Sequence, residues 1–265
     1  MNNYWQPGLE WMGDMLMTHF CPSFLNPISN TLATDLTGRG VYFSILNNTS
    51  DCWVYVNNKL TYFNSATLTT QTNRISVIQP AGDTLPAQSV KDGVTFSFWM
   101  QAVSINNGYI YGNVGNSVPG LTIGNTITSG SPLWAFNGGN ADFRGVNNQD
   151  VSTMKHHVFV AGNNVGAGWW VNGVRVAGAN IGNSATTAFG LLNAGFNNFT
   201  GIGGYFDDMR YYHRALSSKE IIDTWLLGRS GGMSEQPYRR RSYRVGGFKA
   251  YWHRRQSQVI GGGLR

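Results

Sequence analysis

The chain has 265 residues, of which 12% are charged and 13% aromatic, with 34 glycines among abundant Asn, Ser and Thr. That make-up excludes a mainly helical protein and points to many short strands joined by tight turns, with enough apolar material for a sizeable core. The net charge of +6 is unevenly placed: residues 1–228 hold ten Lys/Arg against twelve Asp/Glu and residues 229–265 nine against one, so any argument for an anionic partner concerns only the C-terminal segment.

Residues 1–34 carry Tyr4, Trp5, Trp11, Met12, Met15, Met17 and Phe20, with Pro7, Pro22 and Pro27 interrupting any long helix. They read as an apolar arm, packed either on its own domain or on a neighbouring subunit, because methionine and aromatic side chains adapt to partner surfaces. The opening lacks a basic region followed by an apolar core, so no secretory signal is expected. No apolar run is long enough for a transmembrane helix, and no membrane partner is expected. Cys21 and Cys52 are too few for a disulfide framework; one bridge and two buried thiols both stay open.

From Asp35 the chain reads as strands. Val41–Leu46, Cys52–Val56 and Leu60–Phe63 are short β-rich runs between Asn-rich turns. Val94–Gln101 is expected as a central strand, with Val94, Phe96, Phe98 and Met100 on one face and Thr95, Ser97, Trp99 and Gln101 on the other. Met154–Ala161 follows, then Gly168–Val171 and Val174–Ala177 around Asn172-Gly173, a pair that tolerates the positive φ angles of a type I′ hairpin. The glycine-rich windows at 138–140 and 201–204 lack a following Gly-Lys-Ser/Thr and read as turns and strand entries.

The clearest local signal is Phe206–Trp225. Alternation predicts a strand as far as His213, with Met209 and Tyr211 on one face and Asp208, Arg210 and Tyr212 on the other. Ser217 and Glu220 have the spacing of a capping box. Ile221, Ile222, Trp225 and Leu226 form an apolar helical stripe, and Gly228 stands where a left-handed residue would end the helix.

This stretch resembles the closing signature of laminin-G-like domains of the concanavalin A-like jelly-roll family. The Val94–Gln101 strand, the Trp170-Val171-Asn172-Gly173 hairpin and the opening formed by Cys21-Pro-Ser and Asp35-Leu-Thr-Gly-Arg-Gly40 resemble the same family, over roughly residues 30–228. The resemblance implies an all-β, two-sheet antiparallel jelly-roll sandwich over residues 35–228 with a short C-terminal helix, flanked by an N-terminal arm (1–34) and a C-terminal tail (229–265). It does not imply one function, since the same sandwich hosts lectins, glycosidases, adhesion modules and virion proteins. Phe63-Asn-Ser replaces an acidic turn of the family, which weakens the calcium expectation that the resemblance would carry. No cofactor is expected; calcium would need loop acids such as Asp142, Asp150 or Asp207, and none is assigned as a ligand.

Catalysis is not expected. Retaining glycoside hydrolysis needs two carboxyl groups about 5–5.5 Å apart on one face. The glutamates are Glu10, Glu220 and Glu235, and Asp207 and Asp208, being adjacent, should point to opposite faces. His156 and His157 are adjacent too, with one expected inside and one exposed. No Gly-x-Ser-x-Gly elbow is present. Binding is the better prospect: Trp134, Trp169, Trp170 and Tyr205 could stack on sugar rings.

The tail interleaves basic and aromatic residues, Arg239, Arg240, Arg241 and Arg244, then Tyr251, Trp252, Arg254 and Arg255, and closes on Val259-Ile-Gly-Gly-Gly-Leu264. Such a mixture suits phosphates and bases, yet the apolar and glycine ending reads as a docking peptide, so attachment to protein is expected rather than nucleic acid. The ending also resembles reading frames of tailed bacteriophages and prophages. This implies a virion structural protein, a capsid decoration or a head or tail appendage, on the virion surface. Its partners would be other virion proteins and further copies of itself, with host glycans as the alternative partner of a lectin or adhesin domain.

Overall fold

The structure is a computed structural model, and it describes residues 12, 15–22, 32–37, 42–46, 53–56, 59–64, 74–78, 88–89, 92–105, 108–112, 120–126, 129–136, 139–142, 150–162, 166–179, 188–189 and 202–229. In chain order the strands are β1 (Leu16–Phe20), β2 (Leu32–Thr34), β3 (Tyr42–Leu46), β4 (Trp53–Val56), β5 (Lys59–Asn64), β6 (Arg74–Ile78), β7 (Gln88–Ser89), β8 (Val94–Ile105), β9 (Gly108–Gly112), β10 (Gly120–Thr126), β11 (Ser129–Phe136), β12 (Gly139–Asp142), β13 (Lys155–Gly162), β14 (Gly166–Val171), β15 (Val174–Ala179), β16 (Ala188–Phe189) and β17 (Ile202–Tyr212), followed by helix α1 (Ser218–Arg229). This is the all-β antiparallel jelly roll with one short helix that the sequence led us to expect. No described helix is long and apolar enough to cross a membrane.

The large sheet has the order β15-β14-β13-β8-β17-β5-β4, with β1 also paired to β17. Smaller sheets are β12-β11-β10-β9, β2-β3-β6 and β16-β7. Alternation sorts the large sheet into two faces. Val94, Phe96, Phe98 and Met100 of β8 face inward, where Phe96 stacks on Tyr211 with centroids 4.6 Å apart and Phe98 stacks on Phe159 at 6.0 Å. Phe20 of β1 meets Phe43 of β3 edge to face at 5.0 Å, joining this interior to the β2-β3-β6 sheet.

The opposite, outer face is covered over its middle, because α1 folds back over it. Leu16, Val158, Val160, Tyr212, Leu216 and Ile221 form its buried apolar cluster, with Trp170 half-buried against them. Thr95 and Ser97 are buried here, so the first half of β8 is enclosed on both sides. The helix starts as its sequence dictates. Ser217 N–H donates to Glu220 Oε2 at 2.7 Å, Glu220 N–H returns to Ser217 Oγ at 3.4 Å, and Arg214 donates to both Glu220 oxygens at 3.0 and 2.8 Å.

Three readings change with the structure in hand. Leu16–Phe20, taken as part of an arm, is a strand of the domain; all five residues are buried, so no polar alternation marked it. Gly228 does not end the helix in a left-handed conformation but lies in its last turn, where a Cβ would overlap the indole of Trp99. The glycine is there for close packing. His156 and His157 point to opposite faces as expected, yet both are buried, because the outer face of β13 is covered as well as the inner one.

Candidate functional site

Strand β17 changes partners midway, and a bulge makes the change. Between Asp207 and Arg210 it holds one residue more than β8 opposite, and Asp208 there has a φ of 47°. Before the bulge, residues 204–206 pair with β5; after it, residues 209–212 pair with β1. The bulge also overturns the expectation that Asp207 and Asp208 diverge: both carboxylates reach side chains two residues apart on β1 and its exit. Asp208 Oδ1 lies 2.7 Å from His19 Nε2, and Asp207 Oδ1 lies 3.6 Å from Cys21 Sγ.

Asp208 is 4% exposed and is met by Arg210, whose Nε donates to Oδ1 at 2.8 Å and whose Nη2 donates to Oδ2 at 2.9 Å. Burial alone would raise its pKa, but the Arg210 charge and the His19 hydrogen bond outweigh that and hold the carboxyl well below the usual range. An ionised carboxylate only accepts, so His19 carries its proton on Nε2. Burial, aided by Arg210, keeps that imidazole neutral against the pull of Asp208. His19 is fixed from its backbone too: its N–H donates to Asp35 Oδ1 at 2.6 Å, while Asp35 Oδ2 accepts from Thr37 N–H at 2.9 Å and from Thr37 Oγ1. Asp35, in the glycine-flanked turn read from the sequence, is a turn and strand lock.

His19, Cys21 and Asp208 bring one ligand atom each within 4.8 Å of one another. The donor set does not fit calcium, which takes six to eight oxygens. It fits a transition metal poorly, since both Asp208 oxygens already receive a guanidinium that would repel a cation. The cluster is a buried Asp208–Arg210 ion pair on β17, tied to β1 by the hydrogen bond from neutral His19.

A serine and a histidine also meet: Ser97 Oγ lies 2.8 Å from His156 Nε2. Both are about 1% exposed, and burial pushes His156 down to about 3, too weak for a general base at neutral pH. His156 Nδ1 has no hydrogen-bond partner among the described residues, so no carboxylate orients the ring as in a triad. The dyad is packing, with the ring tilted against Trp99 at 5.2 Å.

Of the four aromatic residues singled out from the sequence, the three whose side chains are described do not form one surface. Trp169 is wholly buried, its ring stacked on Phe159 at 5.8 Å and on His157 at 6.2 Å, with Nε1 donating to His157 Nδ1 at 3.4 Å. An indole with no open face offers no surface to a sugar. Trp170, on the outer face, and Tyr205 are both half-exposed. Trp170 aligns through Val158 and Ser97 with Arg210, whereas Tyr205 aligns with Gln101. Three strand spacings and four residues separate the two backbone positions by about 20 Å. Trp134 lies on β11, paired to Leu121 and Ala141, and its side chain is outside the described residues. So are the tail residues Arg239 to Leu264, and Asp142 apart from its backbone.

What the sequence did not single out is Arg175, exposed on β15 opposite Trp170. Gly168 and Gly178, which leave room for its guanidinium, are its signal in the sequence. Asp150 likewise serves a turn, accepting from Ser152 N–H at 2.8 Å.

Residues 75–222 match the family profile described as the concanavalin A-like lectin/glucanases superfamily. Among solved structures the fold resembles the binding domain of botulinum neurotoxin DC in complex with rat synaptotagmin II (13% identity, TM-score 0.56, covering 81% of this chain and 52% of that one). It also resembles the binding domain of Paraclostridial Mosquitocidal Protein 1 (15%, 0.57, 81% and 52%). A third is a botulinum neurotoxin type C structure, described as showing that cell entry depends on interaction with two ganglioside molecules (15%, 0.53, 81% and 51%). The chain therefore spans about half the length of these relatives, and at such identities the likeness is one of fold. A comparison with curated proteins finds no match.

Proposed function

This chain belongs to the concanavalin A-like lectin/glucanases superfamily, and from that premise we propose that it is a non-catalytic recognition domain that binds carbohydrate on the outer face of its large sheet. One observation carries the reading. The groups capable of acid–base chemistry at the centre of the sheet, His19, Asp208, His156 and His157, are all buried. Trp170 keeps open surface on a rigid strand. A glycosidase of this fold needs a carboxyl held protonated near neutral pH and open to substrate; Asp208 is neither. The binding domains among the structures of similar fold, and the neurotoxin structure whose description names gangliosides, support recognition over turnover.

The test is a glycan array probed with the full chain and with Trp170→Ala and Tyr205→Ala. Retention of a defined glycan class, lost on Trp170→Ala, is the expected result. Absence of retention on the whole array, or release of sugar from any glucan, would overturn the reading.

A second reading, anchorage of this domain in a virion or another large assembly through its tail, is favoured by the concentration of nine of the nineteen Lys/Arg in residues 229–265. Truncation after Arg229 should then leave a folded domain that no longer enters particles. Unchanged particle entry by the truncated chain would remove that role.

A further inference from the structure

Trp170 and Arg175 face each other across β14 and β15, and an irregularity in β15 sets the pairing. Trp169 stands opposite Ala177 and Trp170 opposite Arg175, which leaves Val176 as the extra residue. The neighbouring glycines Gly168 and Gly178 also stand opposite each other. A Cβ on Gly168 would lie 3.3 Å from Trp170 Nε1 and 3.6 Å from Arg175 Nε; a Cβ on Gly178 would overlap the guanidinium, 3.0 Å from its Cζ. The two glycines are thus the floor on which the guanidinium lies beside the indole edge. The indole Nε1 and the guanidinium Nε thus both border the space above Gly168, and both groups are donors without acceptor capacity.

Among the described residues the Arg175 charge is also unclaimed. Among the described residues, Lys155, Arg210, Arg214 and Lys219 each pair with a carboxylate, those of Asp150, Asp208, Glu220 and Asp223. Arg175 is exposed, and no described carboxylate pairs with it. Trp170 is anchored by its inner side against the apolar cluster under α1, so one partner of the patch is rigid.

We propose that Trp170 and Arg175, on the floor of Gly168 and Gly178, form a subsite for the anionic group of an acidic saccharide. The oxyanion takes the planar guanidinium fork with the indole N–H as a further donor, and an apolar sugar face lies along the exposed part of the indole. Carboxylate and sulfate present the same oxygens to these donors. The inference rests on the carbohydrate-recognition reading and narrows its ligand class.

The experiment measures binding of the full chain to a sialylated oligosaccharide, a sulfated oligosaccharide and the neutral counterpart of each. An anionic probe should bind more tightly than its neutral counterpart, and Arg175→Gln should lower its affinity about tenfold or more while leaving the neutral probe unchanged. Gly178→Ala displaces the guanidinium without removing its charge and should weaken the anionic probe as well. Preference for the sulfated probe would assign the oxyanion as sulfate and preference for the sialylated probe as carboxylate; both uphold the subsite. If the anionic and neutral probes bind alike and Arg175→Gln changes neither, the subsite is wrong while carbohydrate recognition stands. If no saccharide binds, the broader reading fails and takes the subsite with it.

Discussion

Arg210 grips Asp208 at two points from two residues away on the same bulged strand, with Nε to Oδ1 at 2.8 Å and Nη2 to Oδ2 at 2.9 Å. Both side chains are buried, so removing one charge strands the other in apolar surroundings. Asp208→Asn isolates this effect, because asparagine tolerates the φ of 47° as well as aspartate does. Urea unfolding should show a loss of about 3–5 kcal/mol. A loss below about 1 kcal/mol would mean that the pair is solvated.

Acid should unfold the domain early. Burial holds His156 and His157 neutral, each pushed down to about 3. In the unfolded chain they take up protons near 6.5, so stability is full above that value and falls as pH drops from 6.5 towards 3. The slope is about 1.4 kcal/mol per pH unit for each histidine. Asp208, whose folded-state carboxyl is held low, adds a further loss below the ordinary carboxylate range. Denaturant midpoints measured from pH 7 to pH 4 check this, and His157→Phe should lower the slope by the share of one histidine, about 1.4 kcal/mol per pH unit; an unaltered slope would contradict burial as its cause.

Trp169 and Trp170 should respond in opposite ways. Trp169→Ala removes a wholly buried ring stacked on Phe159 and His157 and is expected to cost about 3–5 kcal/mol in stability. Trp170→Ala removes a half-exposed ring and should leave a folded domain with impaired glycan retention. Thermal unfolding and array binding on both variants separate the roles, and equal destabilisation by the two would merge them.

Gly173 serves two masters. Its φ of 77° completes the hairpin turn that Asn172 opens at 51°, and a Cβ there would come within 2.7 Å of the Trp225 ring on α1. Gly173→Ala should therefore destabilise by about 1–3 kcal/mol. In a Trp225→Ala background only the backbone part, about 1 kcal/mol, should persist. A double-mutant cycle with no coupling would show that helix and hairpin do not touch.

Much of this fold was legible because local rules and tertiary packing agree. The alternation of Val94–Gln101, the Asn172-Gly173 turn and the Ser217/Glu220 cap all form as their residues dictate. Legibility failed where the sheet is covered on both faces. Leu16–Phe20 is buried on both sides, so no polar half marked it as a strand; Lys155–Gly162 was legible as a strand, but its histidines misled on burial, since both His156 and His157 lie inside. The bulge at Asp208 was hidden for another reason: period-two reasoning assumes unbroken register, and only the partner strand reveals the extra residue. Trp170 could be singled out from its neighbours, but Arg175 could not, because its place beside the indole depends on the irregularity at Val176.

Strand β17 is the last of the described strands to be synthesised, yet it sits inside the large sheet, between β8 on one side and β5 with β1 on the other. His19 must therefore wait for a partner 189 residues downstream, and the sheet cannot close until almost the whole described chain has emerged. Folding should be slow and concerted at this seam. A chain interrupted before residue 202 would leave β8 with a bare hydrogen-bonding edge, an invitation to intermolecular strand pairing that the finished protein never presents.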